Sequence, residues 1–471
     1  MNQQLRILIY FILVFALALV LKIYLPFNFR PSDWNYIANN IQVETEKDSL
    51  PQIVLPDSVK QNIILKNDSI TEKDTVVTHY HLSCPTTFLK QLHKLNMALL
   101  NTKCQNENIR ILHYGDSQIE GDRITAYLRE SFQKRFGGSG PGLTTVYDPQ
   151  RINPSVWLDS KGEWQIHNIY NKRKSLTNKA YGLMGRTASL SAQSKGEFKI
   201  SASRWAEPHA SRYQKIRLFI APHSDTLMVM GKIKNEDVIN DSLAPSKALT
   251  EINWEFEQIS PSLKIQLESK GMIHVLGCAL DSTTGVSVDN IALRGQSSPM
   301  LHKTNSELYT AMGEHLNIGM IILQFGTNVI PSINSNYNWY KIQLSKQFDL
   351  LQQYLPGVPI IVVGIADAAH LNNGKVESYK HLKRIRDAQK EITLQYKFAF
   401  FDLYEAMGGE GSIISWTKKD PPWALTDYIH LSRKGGEVAA AHLTKALWHQ
   451  FDQAPNDSIC SIQTEVPWES F

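Results

Sequence analysis

A serine lies where a buried strand is expected to give way to a helix. Residues 109–114 have a strand pattern, Gly115-Asp116-Ser117 follow, and residues 122–136 carry apolar side chains on one helical face. A serine at the carboxyl end of a parallel strand lies at the mouth of a ligand site, but its hydroxyl needs an adjacent base to act as a nucleophile. Ser117 is therefore a candidate nucleophile; the alternative is that it only caps the following helix.

A candidate base and its partner lie far along the chain. Asp427 and His430 are three residues apart in the loop that precedes an expected helix over residues 432–451. That spacing lets the carboxylate fold back onto the imidazole, fix its tautomer and stabilise the imidazolium that forms when the histidine takes a serine proton. Asp-x-x-His is a common pattern, and the alternative is an exposed turn with Ser432 as the helix cap.

A third polar group follows another buried strand. Residues 320–324 predict that strand, and Gly-Thr-Asn at residues 326–328 comes directly after it. Ligand sites lie outside the carboxyl ends of parallel strands, so the Asn328 amide can donate a hydrogen bond to an oxyanion there. Alone, Asn328 is equally a turn residue. Together with the serine, the aspartate and the histidine, it favours a serine esterase.

These blocks resemble those of the SGNH/GDSL hydrolase superfamily, which is named for a serine, a glycine, an asparagine and a histidine in four blocks. Residues 115–117 match the first block, residues 326–328 the third, and residues 427–430 the last. The best match to the second block, which contributes a glycine N–H, is Gly295.

The resemblance implies both a fold and a mechanism. The fold is a flavodoxin-like three-layer α/β domain with a parallel sheet. Ser117 is the implied nucleophile, His430 the base and Asp427 its partner. The implied oxyanion hole consists of the Ser117 N–H, the Gly295 N–H and the Asn328 side chain. The mechanism requires no metal and no cofactor.

The resemblance covers residues 108–142 and 285–450 and departs from the family at two positions. Gln118 stands where the family's common name has a leucine, and Val329 stands where many members carry an acidic residue. Neither departure removes a catalytic group, but both leave the substrate and acceptor preference open.

Strand and helix patterns alternate around these blocks. Helical periodicity covers residues 85–101, 337–354 and 377–395, and apolar strands are expected at residues 359–363 and 398–401. Continuous apolar strands that alternate with helices predict a parallel sheet covered on both faces.

The stretch between residues 143 and 285 has a different character. Helical patterns fade, and short alternating segments separated by turns predict an inserted β-sandwich. An insert at this position resembles the carbohydrate-module-like domain of bacterial peptidoglycan O-acetyl esterases. Tryptophans in the insert are suited either to stack on sugar rings or to fill the sandwich core; they are Trp157, Trp164, Trp205 and Trp254.

The N-terminus carries an unbroken apolar run from residue 7 to residue 21. With Lys22 snorkelling to the interface, the segment reaches the roughly 20 residues that a spanning helix needs. The alternative is a cleaved signal peptide, which would leave the protein secreted. An uncleaved helix predicts a single-pass inner-membrane protein with its catalytic part in the periplasm.

Residues that follow the apolar run are polar and predict an extended tether. The sequence thus divides into an anchor, a tether, a hydrolase domain in two parts, an inserted sandwich and a tail. The segments are 1–26, 27–84, 85–142 with 286–455, 143–285 and 456–471.

The net charge and the cysteine content limit which partners and metal sites are expected. The net charge is only +4 and no basic run occurs, so nucleic acid is not expected as a partner. The four cysteines lack paired metal-ligand spacing, so no zinc site is expected. Cys84 and Cys104 flank one predicted helix and are candidates for a disulfide in an oxidising compartment; the alternative is four unpaired buried thiols.

The sequence therefore predicts a membrane-anchored extracytoplasmic esterase that removes O-acetyl groups from a cell-envelope glycan, with peptidoglycan favoured as the acetylated polysaccharide. An O-acetyltransferase is the first alternative, because it shares the acetyl-enzyme and replaces water with a sugar hydroxyl. The second is a glycan-binding protein that has the same fold and no activity.

Overall fold

The computed structural model describes residues 74–150, 153–171, 175–233, 236–256 and 262–453. The strands are β1 (Val76–His79), β2 (Leu82–Pro85), β3 (Asn108–Gly115), β4 (Gly142–Thr144), β5 (Val156–Gly162), β6 (Trp164–Asn168), β7 (Arg186–Leu190), β8 (Lys195–Ala202), β9 (Lys215–Ile220), β10 (Leu227–Ile233), β11 (Glu236–Leu243), β12 (Thr250–Glu255), β13 (Leu263–Ser269), β14 (Ile273–Asp281), β15 (Gly285–Ala292), β16 (Ile318–Gln324), β17 (Ile360–Val363), β18 (Ala369–Asn372), β19 (Lys375–Ser378) and β20 (Ala399–Phe401). The α-helices are α1 (Thr86–Gln105), α2 (Thr125–Phe136), α3 (Ser306–His315), α4 (Asn338–Tyr354), α5 (Leu382–Gln395), α6 (Leu403–Met407), α7 (Ser412–Thr417) and α8 (Arg433–Asp452).

A seven-stranded sheet with the order β1-β2-β20-β17-β16-β3-β15 forms the centre of the fold. The five strands from β20 to β15 are parallel, and β2 and β1 extend this edge with antiparallel pairing. The predicted mixed α/β fold with a parallel sheet is confirmed. Loops at the carboxyl ends of β3 and β16 leave the sheet side by side, because these strands pair along their length.

Helices cover both faces of the sheet, because apolar side chains alternate between its faces. On β16, Met320 and Ile322 pack with α1, α2 and α8. Ile321 and Leu323 pack with α3, α4 and α5 on the opposite face. Parallel strands buried on both faces require such continuous apolar sequences. The result is an α/β/α arrangement in three layers.

Two sequence predictions are wrong at the margins of this domain. The sequence predicts a tether that extends to residue 84, but Val76–His79 and Leu82–Pro85 form β1 and β2, and Leu82 pairs with Phe401 of β20. Strands of four residues show too little alternation to be distinguished from a polar linker. The helix expected from residue 377 begins at Leu382, because residues 375–378 form a hairpin with β18.

The insert consists of two packed sheets, with orders β11-β10-β13-β8-β5 and β12-β9-β14-β7-β6, and β4 pairs with β14. Leu263, Ile265 and Leu267 of β13 point into the shared core, and the residues between them point outward. This alternation is the pattern of a sandwich sheet with one solvated face.

A buried ionic contact joins the insert to the parallel sheet. Arg110 of β3 bonds Asp289 of β15 at 2.6 Å and also bonds Asp281, the last residue of β14. All three side chains are buried. Removing one partner of such a set leaves an uncompensated buried charge, so separating the insert from the parallel sheet at this point would be unfavourable.

Cysteine pairing differs from both alternatives drawn from the sequence. Cys84 and Cys278 are free and buried, whereas Cys104 is disulfide-bonded. The proposed Cys84–Cys104 bridge is therefore wrong, and so is the alternative of four unpaired thiols. Cys460 lies outside the described residues.

The predicted membrane anchor over residues 1–26 also lies outside the described residues. Among the helices from residue 74 to residue 453, none combines the length and the apolar character needed to cross a membrane.

Candidate active site

Ser117 lies two residues beyond the end of β3, at the carboxyl edge of the parallel sheet. Gly115 is required there, because a Cβ at this position would lie 2.9 Å from both the Gln324 carbonyl oxygen and the Ile119 side chain. The Ser117 hydroxyl caps neither the short 3-10 helix that follows nor α2. The alternative role as a helix cap is therefore wrong.

The serine hydroxyl instead contacts the predicted base. Ser117 Oγ lies 2.8 Å from His430 Nε2, and His430 Nδ1 lies 2.7 Å from Asp427 Oδ2. The three residues predicted to form the triad thus form one hydrogen-bonded chain. Ser117 and His430 are half-buried and Asp427 is exposed, so the chain lies at an open mouth of the fold.

The loop geometry explains how residues three apart face each other. Asp427 Oδ1 accepts the backbone N–H groups of Ile429 and His430, at 2.9 and 3.0 Å. This closed turn leaves Oδ2 free to reach the imidazole. Ser432 also caps α8 by accepting the Gly435 N–H at 3.1 Å. Helix capping and the folded-back carboxylate therefore occur together rather than as alternatives.

The electrostatics of Asp427 fix the roles of the histidine nitrogens. Partial burial raises the pKa of Asp427, but the hydrogen bonds from the backbone and ring of His430 and from the Ile429 N–H outweigh it, and the net pKa is lowered. An ionised carboxylate only accepts hydrogen bonds. His430 Nδ1 therefore carries the proton, and Nε2 is left to accept the Ser117 hydroxyl.

Asn328 lies beside the serine in a short 3-10 helix after β16. Its Nδ2 donates to the Gln296 carbonyl oxygen at 2.9 Å and lies 3.4 Å from Asp116 Oδ2. Gly326 begins this turn with a φ of 137°, a backbone conformation that favours glycine. The side chain is thus held at the sheet edge where the sequence placed it.

Gly295 lies in an exposed turn after β15, with a φ of 76°. The next residue, Gln296, supplies the carbonyl oxygen that accepts from Asn328. The Gly295 turn and the Asn328 turn are therefore in contact. Participation of the Gly295 N–H in an oxyanion hole stays a prediction.

Asp116 is a fully buried carboxylate that the sequence did not distinguish as important. Burial raises the pKa of Asp116 to about 6. Hydrogen bonds from the Gln118 N–H and from the side chain and backbone of Thr327 lower this pKa, but by less than burial raises it. With the long contact to Asn328, this carboxylate joins the serine's strand to the Asn328 turn.

Gln118 joins the segment that carries the serine to the loop that carries His430. Its Nε2 donates to the Ile429 carbonyl oxygen at 2.6 Å, and its Oε1 accepts the Leu431 N–H at 3.2 Å. The amide therefore binds the backbone on both sides of His430. Gln118, which stands where the family's common name has a leucine, therefore holds the base in place. The local sequence carries no signal of this contact, because Ile429 and Leu431 are more than 300 residues away.

Comparisons with known proteins bear on the fold. No family model matches the sequence, and no curated protein matches it. A solved peptidoglycan O-acetylesterase superposes with a TM-score of 0.60 at 20% identity, over 78% of this chain and 96% of that one. The chain has the fold of this esterase. At this identity the likeness shows the fold alone, and membership of the SGNH/GDSL superfamily stays a prediction.

Two further solved structures align with lower TM-scores. A family two carbohydrate esterase from Cellvibrio japonicus is 9% identical over 63% of this chain and 99% of that one, with a TM-score of 0.24. An acetyl xylan esterase is 12% identical over 34% of this chain and 81% of that one, with a TM-score of 0.25. At these TM-scores neither structure bears on the fold of this chain.

Proposed function

We propose that the chain is a serine esterase that removes O-acetyl groups from a cell-envelope glycan, with peptidoglycan as the favoured substrate. The observation that carries the proposal is the unbroken chain from Ser117 Oγ through the His430 ring to Asp427, with contacts of 2.8 and 2.7 Å. This is the geometry that activates a serine for acyl transfer. The shared fold with a peptidoglycan O-acetylesterase supports the choice of ester and glycan.

The first half of the reaction transfers the acetyl group to the enzyme. Ser117 Oγ attacks the acetyl carbonyl carbon while its proton passes to His430 Nε2, and the imidazolium is stabilised by Asp427. Collapse of the tetrahedral intermediate breaks the bond between the acetyl carbon and the sugar oxygen. The sugar oxygen takes from His430 the proton that came from Ser117. The products are the free sugar hydroxyl and acetyl-Ser117.

The second half releases acetate. A water molecule gives a proton to His430 and attacks the acetyl carbon, and the serine leaves with that proton. Backbone N–H groups of Ser117 and Gly295 and the Asn328 amide are the proposed donors to the oxyanion in both halves. The exposed Asp427 and half-buried His430 leave the site accessible to the water that the second half requires.

We also propose that the protein acts outside the cytoplasm, anchored to the inner membrane by residues 1–26. The apolar N-terminal run supports the anchor. The disulfide at Cys104 supports an oxidising compartment, since disulfides are rare in cytosolic proteins.

The test uses full-length protein with an aryl acetate and with O-acetylated peptidoglycan strands, and measures released acetate. Wild type is expected to turn over both, and Ser117→Ala to lose at least 10³-fold of each rate because the variant lacks the hydroxyl that forms the acetyl-enzyme. Thr327→Ser, a change beside the site that retains the hydroxyl, serves as the control.

Unchanged turnover in Ser117→Ala would show that the site is elsewhere. Aryl acetate turnover without acetate release from peptidoglycan would mean that the protein is an esterase whose substrate is not peptidoglycan. Acetylated acceptor sugar appearing faster than free acetate would identify a transferase.

A further inference from the structure

Arg123 follows the nucleophile by six residues, and its guanidinium lies beside the serine turn. Arg123 Nη1 donates to the backbone carbonyl oxygen of Ser117 at 3.2 Å. In the part of the chain that the structure describes, this guanidinium forms no ion pair with any carboxylate. A cation without an acidic partner therefore stands next to the reacting group.

Burial makes the charge of Arg123 costly. The side chain is half-buried, and burial lowers its pKa. The more distant carboxylates of Glu120 and Asp427 raise this pKa, but by less, so the net pKa is lowered. Charges that leave water are normally paired, so an anion that approached Arg123 would be stabilised there.

Both neighbouring carboxylates are engaged with other groups. The two oxygens of Asp427 accept hydrogen bonds from within the His430 loop. Glu120 lies 3.6 Å from Arg294, a rim residue whose side chain is 71% exposed. The charges around the serine turn thus pair with one another and leave Arg123 over.

Arg123 also has donors that the protein leaves open. A guanidinium carries five N–H donors in a planar fork, and among the described residues only the Ser117 carbonyl oxygen accepts from this one. Nε and Nη2 do not belong to the buried polar atoms that lack a partner, so solvent reaches them. Such a fork binds a carboxylate through two parallel hydrogen bonds.

The backbone of Arg123 is held in place on both sides. Its carbonyl oxygen lies against Gly436 of α8, where a Cβ would come within 2.2 Å of it. The preceding residue, Asp122, is buried and bonds Arg129 of α2 at 2.6 Å. The guanidinium therefore starts from a fixed point between the helices that follow the serine and the base, as a positioning group requires.

The distance to the nucleophile is that of a single sugar. Covalent geometry keeps Ser117 Oγ within about 5 Å of its own carbonyl oxygen. Adding the 3.2 Å from that oxygen to Arg123 Nη1 places the guanidinium within about 8 Å of the attacking atom. A pyranose ring with its substituents spans such a distance, so a group bound at Arg123 belongs to the acetylated sugar itself.

We propose that Arg123 binds the carboxylate of an acidic sugar whose acetyl group reacts at Ser117. This inference rests on the proposed function and extends it, because the substrate is a carboxylate-bearing sugar rather than a neutral one. Two kinds of sugar supply that chemistry: a muramic acid, through its lactyl ether, and a uronic acid, through its ring. The muramic carboxylate is free only where the peptide has been removed, so amide hydrolysis would then precede deacetylation.

The experiment measures kcat/KM of the full-length protein for two matched pairs of acetyl esters. The first pair is 6-O-acetyl-N-acetylmuramic acid and 6-O-acetyl-N-acetylglucosamine, which differ only in the lactyl group. The second pair is methyl 3-O-acetylglucuronoside and methyl 3-O-acetylglucoside. Wild type is expected to prefer the acidic member of one pair by about tenfold or more, since hydrogen bonds to charged groups are the stronger ones. The pair that shows the preference identifies the source of the carboxylate.

Arg123→Gln is expected to reduce that preference to less than threefold. The loss should appear as a higher KM for the acidic sugar, because the contact is formed equally in the ground and transition states. An aryl acetate, which has no carboxylate, should be turned over within threefold of the wild-type rate, and this also verifies that the variant is folded. Arg123→Lys retains the charge without the fork and should retain part of the preference.

Arg294→Gln is the matched control, because it removes an exposed cation from the same rim. It is expected to change the preference less than twofold. A preference that falls in Arg294→Gln and not in Arg123→Gln would overturn the assignment. An equal fall in rate for acidic, neutral and aryl esters in Arg123→Gln would overturn it too, since that pattern belongs to a residue that only supports the serine turn.

Failure of the subsite and failure of the proposed function give different results. If wild type releases acetate from acidic and neutral sugars at equal rates, the subsite fails and the proposed function stands. Calorimetry with Ser117→Ala protein and the same four esters requires no turnover. If an acidic ester binds more tightly through Arg123 but wild type releases no acetate from any sugar, the proposed function fails and the subsite stands.

Discussion

Two loops meet at Ser117, and they are joined to its strand in different ways. The Asn328 turn is connected through the buried Asp116, whose pKa is raised to about 6 by burial. The His430 loop is connected through the neutral amide of Gln118 and carries its own exposed carboxylate, Asp427, whose pKa is lowered. Residues on either side of the serine thus attach opposite halves of the site.

The comparison shows that sequence position does not decide which aspartate assists the base. Asp116 is adjacent to the serine but contacts the Thr327 and Asn328 side, and its burial disfavours charge. Asp427 is 310 residues from Ser117, yet its folded-back carboxylate is ionised and bonded to the imidazole. The two carboxylates can be separated by experiment because one acts on rate and the other on pH-dependent stability.

Asp427→Asn is expected to give the largest effect. An asparagine in this position of a triad favours the wrong histidine tautomer, and the same change in Ser-His-Asp enzymes lowers kcat by about 10⁴-fold. We expect a loss of about 10³- to 10⁴-fold in kcat with an aryl acetate, measured at pH 7. The melting temperature should change little, because Asp427 is exposed.

Asp420→Asn, an exposed aspartate in the same loop, is the control for this change. A loss of less than tenfold in Asp427→Asn would mean that Asp427 does not orient the base.

Asp116→Asn is expected to change how stability depends on pH. A carboxyl group whose pKa is raised in the folded state contributes stability that is fully present below its unfolded pKa, near 3.8, and is lost as pH rises through about 6. The difference between the two pKa values corresponds to about 3 kcal/mol. Wild type should therefore lose about this much more unfolding free energy than the variant between pH 4 and pH 7, as measured by urea denaturation.

Parallel stability curves for the two proteins over that pH range would contradict the assignment. Asp427→Asn is the informative comparison, since the pKa of Asp427 is shifted in the opposite direction.

Gln118→Leu is expected to give the smallest effect. The leucine cannot form the two hydrogen bonds that hold the backbone beside His430, each worth about 0.5–1.5 kcal/mol. A loss of about tenfold in kcat with an unchanged KM is expected, since the amide positions the base and does not contact the substrate. An increase in KM with constant kcat would instead place Gln118 in substrate binding.

Much of the site could be predicted from the sequence because its parts are local. Gly115 and Ser117 follow a recognisable strand, and Asp427 and His430 are close enough to form their own turn. Alternation of apolar residues likewise predicts the parallel sheet and the sandwich, because burial on one face or two leaves a periodic pattern.

Other features required the tertiary structure. The pairing of Leu82 with Phe401, the contacts of Gln118 around His430, and the burial of Asp116 all join segments that are distant in the chain. A short strand or a single amide has the same local pattern whether or not a partner is present, so the sequence does not distinguish them.

The tertiary structure also decided which tryptophans of the insert are buried and which are exposed. Sequence alone determined that Trp157, Trp164, Trp205 and Trp254 lie in a β-rich insert of this protein and that a Ser-His-Asp set flanks it. Only the packing of the two sheets decided that Trp164 and Trp254 pack in the sandwich core while Trp157 and Trp205 are exposed, because the exposure of a side chain depends on the neighbours that cover it. The contacts Glu207–Arg433 and Ser155–Asp122 likewise join the insert to the segments that follow His430 and Ser117, which no local pattern in the sequence indicates.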